Sequence, residues 1–188
     1  MTLALDKAKL RTLVDSEWIP NRYERVFWVD HTTAGPRIVA AVSAGQTKVA
    51  LDLAATINGP FLLLWVLHTP RGGSLPGRYQ SPPLTADELH RVLERHAALF
   101  DRDGRSDIWI HSRTPDATIV LDRHDLLFAY GPRDTFIDAL RAMHFREGLA
   151  SIPSPHSHQY HAEFDELERA LAGEFEWTIS ELRAEDEQ

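Results

Sequence analysis

The chain has 188 residues, 43% of them apolar and 26% charged, the composition of one folded domain able to bury roughly 70% of its unfolded surface, and not of a disordered segment. It contains no cysteine, which excludes disulfide frameworks, thiolate metal sites, iron–sulfur clusters and cysteine nucleophiles together. The formal charge of -8 lies entirely at one end, because residues 163–188 hold 10 acidic and 2 basic side chains while residues 1–162 hold 18 of each; that pattern argues against nucleic-acid binding and leaves either a basic protein partner or, as the plain alternative, a solvated helix face with a frayed acidic tail.

Residues 1–9 show neither an uninterrupted apolar stretch nor a small-residue cleavage site, so they are not expected to act as a secretory signal. The longest apolar run, Phe61 to Leu67, is seven residues, far below the roughly 20 needed to span a bilayer. A cytoplasmic protein without membrane contact is expected.

In chain order, Leu10, Leu13 and Val14 predict a short amphipathic helix over 5–14, interrupted at Pro20. Arg25–Asp30 and Arg37–Ser43 are β-branched or aromatic and flank Thr-Thr-Ala-Gly-Pro, so they predict two paired strands. Thr47–Leu53 alternates apolar and polar residues and favours a third strand, although Val49, Leu53 and Ile57 also suit a helix. After Asn58-Gly59-Pro60, the run Phe61–Leu67 is apolar on both faces and predicts a central strand covered on both sides. Residues 71–83 then form a long glycine- and proline-rich connection, of the kind that is functional or mobile.

Thr85 and Glu88 form a capping box, and Leu89, Val92, Leu93, His96 and Phe100 continue one face, predicting a helix over 85–100. Asp107–Ser112, Thr118–Leu121 and Leu126–Tyr130 predict a meander of three short strands punctuated by Thr-Pro-Asp and Asp-Arg-His-Asp. A helix from Gly131-Pro132 to about Phe145 is expected to bury Phe136, Ile137, Leu140 and His144. A connection over Ser151–Ser157 leads to a last helix with Tyr160, Phe164, Leu167 and Leu171 on one stripe and Gly173 at its end. Phe175, Trp177 and Ile179 alternate with polar residues and predict a closing strand. The fold class expected is α+β, a mostly antiparallel meander sheet with helices on one face, in a single domain over 1–188 that ends in an acidic helix and tail over about 158–188.

The densest titratable chemistry is His156, His158, His161 and Asp165. On a helix beginning near Ser157, His158, His161 and Asp165 stand at i, i+3 and i+7 on one face. Neutral imidazoles with a carboxylate suit zinc or another divalent transition metal, and an open position on such an ion activates water. No glutamate follows either histidine as in the His-Glu-x-x-His pattern; the plain alternative is a solvated helix start with an Asp165–His161 pair.

The loop containing Arg71, Arg78 and Tyr79 combines guanidiniums, glycines and a ring that can hold a small anion. It lacks the Gly-Lys-Ser/Thr of a P-loop, and its arginines can equally pair with neighbouring acids. Asp101–Asp107 carries its glycine at the fourth position of a calcium-like loop and Ser112 at the twelfth, so it is read as a helix-ending turn. His96 and His144 are read as histidines on apolar faces, and Trp109, His111 and Arg113 as one side of a strand, either exposed for recognition or covered by a helix. Three functions follow: an inhibitor- or immunity-like interaction module presenting Glu163 and Glu166 to a basic partner, a transition-metal-dependent hydrolase at His156–His161, and a small-anion-binding protein at Arg71–Arg78.

Overall fold

A computed structural model describes residues 7–33 and 35–186. The chain forms β1 (Leu10–Val14), β2 (Glu17–Pro20), β3 (Val26–Thr32), β4 (Gly35–Ala41), α1 (Gln46–Ala54), β5 (Phe61–Leu67), β6 (Gly77–Gln80), α2 (Ala86–Arg102), β7 (Ser106–Arg113), β8 (Asp116–Leu121), β9 (Leu126–Tyr130), α3 (Arg133–Ala142), β10 (Arg146–Glu147), β11 (His156–His158), α4 (Asp165–Ala172) and β12 (Thr178–Ser180). Nine strands make the main sheet in the order β10-β3-β4-β9-β8-β7-β5-β6-β12, antiparallel throughout except for β10 beside β3. A minor sheet has the order β11-β1-β2. The expected α+β architecture is therefore the observed one.

The period-2 alternation of the meander sets the core. Ile108 and Ile110 of β7, Ile119 and Leu121 of β8, and Leu127 and Ala129 of β9 all join one buried cluster with Leu63 and Trp65 of β5. α2 closes over that face with Leu89, Val92, Leu93, His96, Leu99 and Phe100 buried. Its start follows from the capping box: Thr85 Oγ1 accepts the Glu88 N–H at 3.2 Å and Glu88 Oε2 accepts the Thr85 N–H at 2.8 Å. β5 pairs with both β6 and β7 and is central, as its all-apolar run requires.

Several expectations are corrected. Residues 47–53 lie in helix α1, not in a strand: its buried set includes Val49, Ala50, Leu53 and Ala54, a helical spacing that strict alternation would split between two faces. Asp101 of α2 fixes the start by accepting from both the backbone N–H and the hydroxyl of Thr47 at 2.8 Å. The expected helix over 5–14 is strand β1 from Leu10 onward, its positions 5 and 6 lying outside the described residues. It pairs with β2 through a two-residue turn at Asp15 and Ser16, both at positive φ (47° and 70°), the backbone that matches hairpin twist.

The last helix is shorter than expected. Residues 156–158 are strand β11, residues 162–164 a single 3₁₀ turn, and α4 begins only at Asp165. Pairing of β11 with β1, in the register Leu10↔His158 and Thr12↔His156, takes the backbone away from the helix. His144 is also exposed beyond the end of α3, at φ 65°, and not on its buried face. The closing strand falls slightly later, at Thr178–Ser180, while Phe175 and Trp177 turn back onto the core with their rings 5.0 Å apart.

Candidate metal centre

Because side chains alternate along a strand, β11 presents His156 and His158 on the same side of the minor sheet. The turn between β8 and β9 meets them there. In that turn Asp122 Oδ1 accepts the His124 backbone N–H at 2.6 Å, a local Asx-type closure, and Asp125 adopts φ 63°. His124, His156 and His158 converge, with ring centroids 4.7, 5.2 and 5.5 Å apart. One ligand atom from each lies within 4.8 Å of the others.

Hydrogen bonds orient two of the rings. His156 Nδ1 lies 2.8 Å from the Pro153 carbonyl oxygen; a carbonyl only accepts, so Nδ1 carries the proton and Nε2 of the neutral ring keeps its lone pair. His124 Nδ1 lies 2.9 Å from Asp122 Oδ1, the carboxylate–imidazole arrangement that orients metal-ligating histidines. Burial opposes the charge on Asp122, but the hydrogen bonds and charge of His124 hold its carboxyl below the usual range. His158 Nδ1 is buried without a hydrogen-bond partner, and burial, with the Arg123 charge nearby, pushes that imidazole down to about 3. It is therefore neutral at ordinary pH, the form that binds a metal.

The surroundings lock this geometry. Lys9, 1% exposed, donates to the carbonyls of Asp122 at 2.9 Å and Phe100 at 3.1 Å, and to Gln46 Oε1, tying β1 to the turn. Gly104 lies beneath His158, where a Cβ would come within 3.0 Å of the His158 Cβ. Asp107 accepts the Arg123 N–H at 2.8 Å and faces His68 Nε2 at 2.9 Å; burial raises its carboxyl despite the His68 hydrogen bond. Tetrahedral zinc with Zn–N bonds of about 2.0–2.1 Å spaces its nitrogens about 3.4 Å apart. One nitrogen from each of the three rings lies within 4.8 Å of the others, and His156 and His158 are half-buried.

Of the residues expected to hold a metal, His156 and His158 are brought together, whereas His161 and Asp165 are not. The i, i+3, i+7 row is absent because its helix is absent. His161 is held by its backbone: its N–H donates to Asp103 Oδ2 at 2.6 Å and its carbonyl accepts from Arg105 at 3.0 Å. Asp165 accepts from Arg71 at 3.4 Å and pairs with Arg105 at 3.1 Å. His124 was missed. The Asp-Arg-His-Asp run marked its turn, but no local spacing signals that this turn meets β11.

The Arg71–Tyr79 loop has partners within the chain, as its alternative reading expects. The N–H groups of Arg71 and Gly72 do hold a carboxylate, that of Glu168, at 2.9 and 2.8 Å. Tyr79 is buried against Trp65, ring centroids 4.9 Å apart, with its hydroxyl on the Leu75 carbonyl. Arg78 is paired with Asp186. On the acidic end, Glu163 pairs with Lys7 and Glu166 with Arg169, both acids remaining exposed. Among the described residues no helix is long and apolar enough to cross a membrane. Comparison with known protein families, with curated proteins and with solved structures finds no match to this chain.

Proposed function

We propose that this protein binds a divalent transition metal through His124, His156 and His158, and that its activity is metal-dependent hydrolysis. The observation that carries this reading is the convergence of three imidazoles, two of them oriented through Nδ1, from two segments remote in sequence. Three neutral nitrogens suit zinc, nickel or non-haem iron. With three protein ligands such an ion would keep a position for water and would supply Lewis acidity that brings the pKa of that water toward 7.

The metal reading is favoured over an acidic docking surface because most carboxylates of the C-terminal part already have internal partners: Glu168 with Arg105, Glu174 with Arg95 and Asp186 with Arg78. The test is elemental analysis of protein carrying no histidine tag, purified with and without a chelator. A stoichiometric transition metal that disappears in His124→Ala supports the proposal. Metal-free protein that takes up none on dialysis against zinc, nickel or iron(II) overturns it.

A further inference from the structure

Among the described residues the helices pack on one face of the main sheet. On the other, half-buried Trp28, Arg37, Trp109 and Tyr130 surround the buried Phe128. Two guanidiniums lie over rings there, Arg37 at 4.4 Å from the centroid of Phe128 and Arg78 at 5.8 Å from that of Trp109, within the range of cation–π attraction. The acidic end of the chain returns to this face. β12 adds to the edge of β6 in the register Thr178↔Gln80, Ile179↔Tyr79 and Ser180↔Arg78. A 3₁₀ turn over Ala184–Asp186 then brings Asp186 back onto the Arg78 guanidinium, while its second oxygen accepts the Arg183 N–H at 2.8 Å.

The attachment is narrow. The Asp186 side chain is 0% exposed and that of Arg78 11%, yet Thr178, Ile179, Ser180, Glu181, Arg183 and Glu185 are all exposed. Gly77 leaves room for the segment, since a Cβ there would sit 3.0 Å from the Ser180 carbonyl oxygen. Between the segment and Trp109, Phe128 and Tyr130 a small cleft remains.

We infer that the outer edge of β6 together with Arg78 is a docking site for an extended acidic segment of a partner protein, which Thr178–Asp186 occupies in the isolated chain. An added strand gains main-chain hydrogen bonds whatever its sequence, and side-chain pockets supply selectivity. Here the selective contact is a carboxylate on a desolvated guanidinium, stronger than a neutral hydrogen bond. The acidic tail that composition assigns to a basic partner finds its cation within the same chain. Because a tethered segment competes at an effective concentration on the order of millimolar, a partner displaces it only by matching both the strand pairing and the acid.

The probe is a fluorescein-labelled synthetic peptide with the sequence Glu176–Gln188, and the readout is fluorescence polarisation against full-length protein. Asp186→Ala in the protein weakens the internal competitor, and the peptide should bind this variant at least tenfold more tightly than wild type. A peptide carrying Asp186→Ala, which cannot unfold the protein, should lose at least tenfold in affinity for the same variant. Arg78→Gln should abolish the difference between the two peptides. Equal binding by wild type and variant, or equal binding of the two peptides, overturns the inference. Hydrogen exchange on wild type checks it independently: the Thr178–Ser180 amides should exchange at least tenfold faster than those of β5, and equal protection would contradict a displaceable segment.

Discussion

Glu168→Ala should be among the most destabilising single substitutions at a polar position of this protein. The Glu168 carboxylate is fully buried and accepts three hydrogen bonds, from the N–H groups of Arg71 at 2.9 Å and Gly72 at 2.8 Å and from Arg105 Nη1 at 2.6 Å. Truncation leaves the Arg105 guanidinium, itself 0% exposed, held only by Asp103, Asp165 and the His161 carbonyl, and strands two backbone donors. Removing one partner of a buried ion pair costs about 3–5 kcal/mol, and the orphaned amides lie within the same range because the contributions are not additive. Against a total stability of roughly 5–15 kcal/mol, that is a large fraction. Urea denaturation followed by tryptophan fluorescence measures it, with Glu166→Ala, an exposed acid two residues earlier, as the control expected to leave the midpoint unchanged. A loss below about 1 kcal/mol in Glu168→Ala would show that water replaces the carboxylate, refuting the view that this group joins α4 to the loop before β6.

Asp122→Asn keeps the shape of the β8–β9 turn but removes the charge that orients His124, and should weaken zinc affinity about 10- to 100-fold, measured by competition with a chelating dye. Leu63→Asp or Trp65→Asp should prevent folding, since both side chains are 0% exposed and a lone buried carboxylate costs several kcal/mol; an unchanged melting temperature would show that β5 is not central. His96 is held below its ordinary pKa, first by burial and against the opposing pull of Glu174. A depressed imidazole favours the fold above the unfolded value of about 6.5 and loses that contribution as pH falls toward the folded value, so His96→Leu should flatten the acid side of the stability–pH profile.

The parts of the fold set by local physics were legible in the sequence. The capping box at Thr85 and Glu88, the seven-residue apolar run of β5 and the alternation of β7, β8 and β9 each need only neighbours along the chain. The errors arose where tertiary pairing overrides local pattern. β1 reads as helical until β2 and β11 are known to pair with it, and α1 reads as a strand because Lys48 and Asp52, which form an i, i+4 ion pair on its surface, mimic alternation. The candidate site divides along the same line. His156 and His158 stood out by density, whereas His124 contributes through a contact of high sequence separation that no local spacing encodes. Glu168, within the acidic helix and tail expected over about 158–188, is likewise the anion that the Arg71–Gly72 amides hold.

Calorimetric titration of zinc into the untagged, metal-free protein at neutral pH tests the central claim most directly, with His124→Ala and His161→Ala beside wild type. The three-histidine centre predicts one equivalent bound by wild type and by His161→Ala, loss of binding in His124→Ala, and weakening as pH falls through about 6, where imidazole protonates. Uptake unchanged in His124→Ala, or abolished in His161→Ala alone, would contradict the assignment of His124, His156 and His158 as the metal ligands.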